Sequence, residues 1–381
     1  MAVQRRKIAG LAGKKHGWNE MKPDIVPSLS VAKSESVLPG IQILRGVAAF
    51  LVLFHHVLEE SQPLFGGAIP SRFVLLGACG VDIFFAISGF IILHTVSRKI
   101  GMPGVARDFM ARRIIRIAPL YWLCSAGIVG LHALGLYAHK IFSFAIIVSS
   151  LFFMQHKNIL LNVGWTLNYE MYFYVAMGLC LYFASSLRTV VAGTIITILG
   201  IFCGAWGLSD VQAADFFRNP IVIEFCFGML VALLFKKGVL PQRRSFFVLI
   251  AATAGFIAAS LWGQTDGTTA GLAQASRFWQ WGLPSVLLLV PALLWNPARY
   301  TGTMKLMLLL GDASYAIYLT HPFVMVSYAK LIKTHAPHGA MAWACVPLPI
   351  LVSLIIGIAV HLRVEKPMTA FLNQWWAAKR A

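Results

Sequence analysis

Long apolar runs separated by short polar connections recur along the chain from residue 41 to residue 363. Many of these runs approach about 20 residues, the length at which a helix crosses the roughly 30 Å hydrocarbon core of a bilayer. The pattern therefore predicts an all-α polytopic membrane protein. Its connections are too short to contain a large soluble domain.

The number of spans depends on residues 141–154, which form a shorter apolar run than the others. Counting that run as a span gives eleven and places the basic loop at Lys236 and Lys237 outside the cell. We interpret it instead as a re-entrant or interfacial segment, which gives about ten spans and cytoplasmic termini. The predicted spans are residues 41–58, 73–96, 117–137, 165–185, 190–208, 220–235, 245–263, 282–295, 306–331 and 341–362.

Composition and charge agree with this class. The 381 residues are 58% hydrophobic and only 12% charged, well outside the balance of an ordinary soluble protein. The net charge of +18 follows from Lys and Arg in the N-terminal tail and the short loops, as the positive-inside rule requires, and does not indicate nucleic-acid binding. We predict a basic, disordered cytoplasmic tail over residues 1–38, a membrane domain over 39–368 and a short cytoplasmic tail over 369–381.

The six cysteines are scattered through apolar runs without C-x-x-C spacing. Neither a zinc site nor a disulfide framework is predicted from them. They are interpreted as packing residues.

The first span places Arg45 and His56 in an otherwise apolar run, eleven residues apart. Eleven residues make almost three helical turns, so both side chains fall on one face, about 16 Å apart along the axis, while His55 points away from it. Ionisable groups inside a bilayer are costly, so a pair on one face indicates a functional site. The structural alternative is an arginine that reaches the headgroups and a histidine hydrogen-bonded between helices.

Four acidic residues lie within or beside apolar segments: Asp82, Glu170, Glu224 and Asp312. Asp82 is predicted to cap a helix or to form an ion pair with an arginine, and Glu224 to be a helix-packing partner. Ser88, with Gly89, is interpreted as part of a small-residue packing face.

Arg113 and Arg116 are spaced i and i+3 on one helix face at the membrane edge. Two guanidiniums at this spacing could bind the phosphates of a nucleotide-like donor by charge-assisted hydrogen bonds. Positive-inside topology and lipid headgroups are the alternative explanation.

Two later segments combine polar and aromatic residues. Glu170 lies among Trp and Tyr side chains, and its carboxylate could orient a histidine or accept hydrogen bonds from a sugar. Tyr318 and His321 follow Ser314 and Tyr315 at helical spacings, which places hydroxyls and an imidazole along one side of a helix. Polar contacts between helices are the alternative for both segments.

Five motifs occur in a fixed order: LRG-x-AA-x(6)-H, GVD-x-FF-x-x-SGF, RR-x-x-RI-x-P-x-Y, W-T-L-x-x-E-x-x-F-Y and SY-x-x-YL-x-H. In combination and order they resemble the acyltransferase 3 family of integral membrane O-acyltransferases. The resemblance covers residues 40–367 and ends at a Glu365-Lys366-Pro367 signature. It implies acylation of bacterial surface or secreted polysaccharides, or of some other acceptors, by an enzyme of the cytoplasmic (inner) membrane.

The resemblance also implies roles for individual residues. The family's first-helix arginine and histidine fall on Arg45 and His56, and His55 stands where the family usually has an aromatic residue. Its paired donor-handling arginines fall on Arg113 and Arg116.

The remaining family residues fall in the fourth and fifth motifs. The family's glutamate falls on Glu170 and its late histidine on His321. Thr166 stands where serine is commoner in the family, which keeps the hydroxyl.

A mechanism follows as a hypothesis. Arg113 and Arg116 hold the phosphates of acyl-CoA, most simply acetyl-CoA, which is a co-substrate rather than a bound cofactor. His56 acts as a general base or accepts the acyl group itself. Arg45 steers the donor or stabilises charge on the thioester oxygen, and Glu170 orients the imidazole or binds the sugar.

The expected partners are acyl-CoA, a polysaccharide or lipid-linked sugar acceptor, and membrane lipids. The competing function is a transporter or flippase for a lipid-linked sugar or a small molecule, which would also carry buried charges and aromatic walls. No paired halves of the kind that inverted repeats produce are visible in the sequence.

Overall fold

The computed structural model describes residues 38–66, 69–135, 142–156, 158–208, 212–240, 245–262, 277–295, 297, 299–335 and 340–380. These residues form helices and connecting turns, with no strand among them, as predicted for an all-α protein. Of the tail predicted over residues 1–38, residues 1–37 lie outside the described part of the chain.

The first eight helices cover the chain to residue 217. They are α1 (Pro39–Ser61), α2 (Ser71–Leu76), α3 (Cys79–Val96), α4 (Val105–Ala133), α5 (Phe144–Leu151), α6 (Trp165–Phe183), α7 (Leu187–Ala205) and α8 (Gln212–Phe217).

The other eight helices follow from residue 222. They are α9 (Val222–Lys236), α10 (Ser245–Trp262), α11 (Leu283–Leu294), α12 (Gly302–Asp312), α13 (Ser314–His335), α14 (Ala340–Cys345), α15 (Pro347–Val360) and α16 (Lys366–Ala378). Two π-helical turns, Phe278–Gly282 and His361–Glu365, lead into α11 and α16. Residues 369–378, predicted as a tail, therefore lie in a helix.

Six helical stretches of the described chain are long and apolar enough to cross a membrane: Pro39–Phe65, Phe73–Val96, Val105–Ala133, Leu187–Ala205, Ala214–Lys236 and Met341–Ala378. The predicted count of about ten is not confirmed. Two predicted spans have other structures, since 306–331 divides at Ala313 into α12 and α13, and α11 has only 12 residues. The α6 and α13 helices are long enough, but both contain polar residues of the site described below.

Within residues 142–154, the described part of this run, the only helix is α5, which has eight residues. Such a helix is about 12 Å long, well short of the roughly 30 Å needed to span a bilayer. This length agrees with the interpretation of the segment as non-spanning.

The third predicted span, residues 117–137, begins earlier in the structure. Gly104 has a positive φ of 73° and precedes α4, which begins at Val105. The helix thus begins twelve residues before residue 117, the predicted start of the span. Arg113 and Arg116 consequently lie within α4, on a helix as predicted, but in its third and fourth turns rather than just before its start.

The α3 helix lies at the centre of the bundle, where it packs against α1, α9 and α11. In its predicted span, 72% of the most apolar window is buried, compared with 22% for the α7 window. Contact with α9 is close because of Gly89 and Gly228. A Cβ atom at Gly89 would lie 2.1 Å from the carbonyl oxygen of Phe225, and one at Gly228 would lie 2.2 Å from that of Ala86.

Gly89 therefore belongs to a packing face, as predicted. Ser88 does not, because its hydroxyl points in another direction and donates to Glu170. Adjacent helical residues lie about 100° apart around the axis, which is why the two side chains face different neighbours.

Candidate active site

A cavity of about 140 Å³ lies among α1, α3, α4, α6 and α13. Its size is close to that of a cavity known to hold one benzene molecule, roughly 150 Å³, so it can hold a short acyl group or a segment of a chain but not a nucleotide. Its lining includes six residues of the five sequence motifs: Arg45, Ser88, Arg113, Arg116, Glu170 and Tyr318. With three guanidiniums and one carboxylate, the cavity carries a net positive charge.

Arg116 is held in place by the C-terminal part of the chain. Its guanidinium donates to the buried carboxylate of Glu365, and the other oxygen of that carboxylate lies 2.7 Å from Nδ1 of His361. The Arg116 guanidinium also lies 5.5 Å from the ring centroid of Tyr315. The π-helical turn from His361 to Glu365 supplies both acidic and imidazole groups, and such turns often occur at functional sites.

Arg113 has free hydrogen-bonding capacity in the described structure. Its buried Nε has no hydrogen-bond partner among the described residues, and its guanidinium lies 5.9 Å from the ring centroid of Phe109. Arg112, by contrast, faces away from the cavity, and its Nε donates to Asp108 over 3.1 Å. A buried donor without a partner favours an anionic ligand, because hydrogen bonds to a charged group are the strongest available to it.

Arg45 lines the same cavity from α1. Its closest hydrogen-bond acceptor is Oε1 of Gln42, at 3.5 Å, and the amide nitrogen of Gln42 donates to Asp312. Helices α1 and α12 approach closely here, since a Cβ atom at Gly311 would lie 1.9 Å from the carbonyl oxygen of Gln42. The carboxylate of Asp312 therefore holds Gln42, and Gln42 in turn contacts Arg45.

Glu170 contributes the carboxylate of the cavity. One of its oxygens accepts from Ser88 Oγ over 2.8 Å, and the other accepts from the hydroxyl of Tyr174 over 3.1 Å. His56 is not among its hydrogen-bond partners in the described structure. The suggestion that Glu170 orients the imidazole is therefore not supported by its contacts. Glu170 instead shares the cavity lining with the three arginines.

His56 lies beyond the cavity, near the end of α1, and faces a second histidine. Its ring is stacked on that of His321, with centroids 5.2 Å apart and planes inclined by 26°. The Nδ1 atom of His56 lies 3.2 Å from Oε2 of Glu59, so Glu59 is the carboxylate that orients this imidazole. His321 is buried, and its Nδ1 lies 3.3 Å from the carbonyl oxygen of Ile317.

Tyr318 separates the cavity from the two histidines. It lines the cavity, and its ring meets that of His321 edge to face at a centroid distance of 6.0 Å. Its hydroxyl lies 2.8 Å from Oγ1 of Thr166 and 2.9 Å from the carbonyl oxygen of Val163. Ring contacts therefore lead from Tyr318, at the wall of the arginine-lined cavity, through His321 to His56.

The chain matches a family model described as an acyltransferase domain over residues 38–362. This range contains the three cavity arginines and both stacked histidines. The chain belongs to the acyltransferase 3 family.

Two proteins from Rhizobium species have sequences similar to this chain. The exopolysaccharide production protein ExoZ of Rhizobium meliloti (strain 1021) is 31% identical over 303 residues, which cover 77% of this chain and 90% of ExoZ. Protein 2 in the picA locus of Rhizobium radiobacter is 32% identical over 98 residues, covering 24% of this chain and 47% of that protein. No solved structure matches the chain.

Asp82 lies outside the cavity of this acyltransferase. Its carboxylate accepts from Nε and Nη2 of Arg277, over 3.0 and 2.6 Å, and both side chains are fully buried. The ion pair predicted for Asp82 is thus formed, and Glu224 lies beside it on α9. The three residues connect α3, α9 and the π-helical turn that leads into α11.

Two residues of the site were not among the predicted site residues. Glu59 follows His56 by three positions, a spacing that places both side chains on one helix face, so the sequence did contain a signal for this pair. Glu365 was noted only as part of a family signature. It lies 249 residues from its partner Arg116, and no local spacing predicts that contact.

Proposed function

We propose that this acyltransferase moves an acyl group, most simply acetyl, from cytoplasmic acyl-CoA to a sugar hydroxyl of an exopolysaccharide or its lipid-linked precursor. The observation that carries the proposal is the positively charged cavity, which is linked through Tyr318 and His321 to the imidazole of His56. The enzyme would act in the bacterial inner membrane with both termini in the cytoplasm.

Donor binding is assigned to the arginine end of the cavity. Arg113 offers hydrogen-bond donors to the phosphates, and Arg116 is held beside it by Glu365. Because the cavity of about 140 Å³ is too small for a nucleotide, the nucleotide stays at its mouth and only the thioester arm enters. Arg45, farther along the wall, would then steer the arm toward His56.

The chemical step is assigned to His56. As a general base, its imidazole takes the proton of the sugar hydroxyl while the hydroxyl oxygen bonds to the acyl carbon. The carbon–sulfur bond breaks, and the same proton passes to the leaving thiolate. Acyl transfer through the imidazole itself is the alternative course. Glu59 keeps the ring oriented in either case, as the carboxylate does in a histidine–carboxylate pair.

The acceptor is proposed by analogy with the relative whose printed name refers to exopolysaccharide production. The test is mass spectrometry of surface and secreted polysaccharide from cells with the wild-type protein, with the His56→Ala variant and with neither. Loss of one defined ester mass from both deficient strains would identify the acyl group and the acceptor. An unchanged ester profile with altered polysaccharide export would contradict the proposal and indicate a transporter.

The Arg113→Ala variant is expected to bind acyl-CoA about 10- to 100-fold more weakly than the wild type. The reason is the loss of charge-assisted hydrogen bonds to phosphate, which contribute roughly 1.5–3 kcal/mol. Isothermal titration calorimetry of the purified protein with acetyl-CoA measures this change.

Arg112→Ala is the matched control, since Arg112 adjoins Arg113, has the same charge and faces Asp108 instead of the cavity. It is expected to bind the donor as the wild type does. If Arg113→Ala and Arg112→Ala bind acetyl-CoA with equal affinity, Arg113 has no specific role in binding the phosphates.

A further inference from the structure

Three metal-ligating side chains lie together on the last two turns of α1. One ligand atom from each of His55, His56 and Glu59 can be chosen so that all three atoms lie within 4.8 Å of one another. Glu59 follows His55 by four positions and His56 by three, so its carboxylate lies between the two imidazoles. Its Oε2 atom is 3.2 Å from Nδ1 of His56 and 4.0 Å from Nε2 of His55.

The backbone carbonyl of Val74 fixes the tautomer of His55. Nδ1 of His55 lies 2.6 Å from this carbonyl oxygen, and a carbonyl can only accept, so Nδ1 carries the proton. In the neutral ring, Nε2 then presents a lone pair to the carboxylate of Glu59, at 4.0 Å, too far for a hydrogen bond. Two electron-pair donors that face each other are stabilised by a cation between them.

We propose that His55, His56 and Glu59 form a binding site for one Zn²⁺ ion. Two histidines and one carboxylate are a ligand set of zinc sites that keep a fourth position for water. The hydrogen bond from His55 to a backbone carbonyl is the kind of contact that orients metal-bound histidines. The cysteine pattern predicts no metal site, whereas this cluster uses only histidine and carboxylate ligands.

The two separations from Glu59 to the imidazoles are close to what tetrahedral zinc requires. Bonds of about 2.0–2.1 Å place neighbouring ligand atoms roughly 3.4 Å apart, between the observed separations of 3.2 and 4.0 Å. Glu59 and His56 are 41% and 32% exposed, so an ion can reach them and their side chains can adjust. His55 is buried and held by Val74, so it provides the fixed ligand.

Zinc at this site would inhibit the enzyme. The ion would replace the proton on Nδ1 of His56 and would also be coordinated by the carboxylate of Glu59. The imidazole could then no longer rotate or exchange protons freely. This consequence rests on the function proposed for His56. The binding itself does not depend on that function and can be tested separately.

Binding is measured by titrating Zn²⁺ alone into the full-length chain, purified in detergent with a histidine-free affinity tag. One Zn²⁺ per chain is expected for the wild type, with at least ten-fold weaker binding in His55→Phe and in Glu59→Gln. Glu60→Gln is the matched control, because Glu60 adjoins Glu59 but does not belong to the cluster. If His55→Phe fails to fold, Glu59→Gln still provides the test, because Glu59 is partly exposed.

Equal zinc affinity in the wild type and both cluster variants, or no binding to the wild type, would overturn the site. Inhibition is measured as each protein's transfer rate with Zn²⁺ divided by its own rate without the ion. At least ten-fold more Zn²⁺ is expected to be needed to halve the rate of His55→Phe than that of the wild type. Zinc binding without any loss of transfer would retain the site and contradict the proposed role of His56.

Discussion

The His56→Ala variant is expected to transfer acyl groups about 10²- to 10⁴-fold more slowly than the wild type, the usual contribution of a general acid–base group. This loss corresponds to roughly 2.7–5.5 kcal/mol of activation free energy. Donor affinity should change little, because the cavity arginines lie elsewhere; Arg45, on the same helix, is about 16 Å from His56 along the axis. Thiol release from acetyl-CoA, measured with a sugar acceptor, gives the rate, and calorimetry gives the donor affinity.

Two further variants show whether the slower transfer by His56→Ala is due to the loss of a base in the chemical step. His56→Gln keeps a side chain that can donate to Glu59 but cannot act as a base, so it should be as slow as His56→Ala. His335→Ala removes an exposed histidine at the end of α13 and should retain the wild-type rate. Wild-type turnover by His56→Ala would show that another group performs the proton transfer.

The sequence was sufficient to predict features that depend on local spacing. Helix α1 is continuous from Pro39 to Ser61, so the spacing of Arg45 and His56 could be converted directly into a shared helix face. The spacing of Arg113 and Arg116 likewise placed both of them on one side of α4, and both line the cavity. Apolar composition was sufficient to predict a helical protein with membrane-length segments.

Features that depend on contacts between distant segments could not be predicted. Nothing near Arg116 in the sequence indicates that Glu365 holds it, or that Arg277 is the partner of Asp82. The count of about ten spans is not confirmed for a related reason. Hydropathy does not indicate where a helix divides, as at Ala313, which lies between α12 and α13.

The buried ion pair between Asp82 and Arg277 leads to the largest expected effect on stability. Arg277→Met is expected to lower the free energy of unfolding by about 3–5 kcal/mol, because it leaves a carboxylate buried without its counter-charge. The Arg277 guanidinium also lies 5.0 Å from the ring centroid of Trp281, and this contact is lost in the same variant. Denaturant titration in mixed micelles measures the change.

The double variant Asp82→Leu/Arg277→Met distinguishes the ion pair from ordinary packing. When both charges are removed, no unpaired charge remains, so the double variant should lose less stability than the two single variants added together. Asp215→Ala is the control, since this carboxylate is 77% exposed in its pair with Arg218 and should contribute less than about 1 kcal/mol. Strict additivity of the single variants would show that the two buried charges do not stabilise each other. In that case the buried carboxyl group of Asp82 would be stabilised by its contact with Glu224 and not by the charge of Arg277.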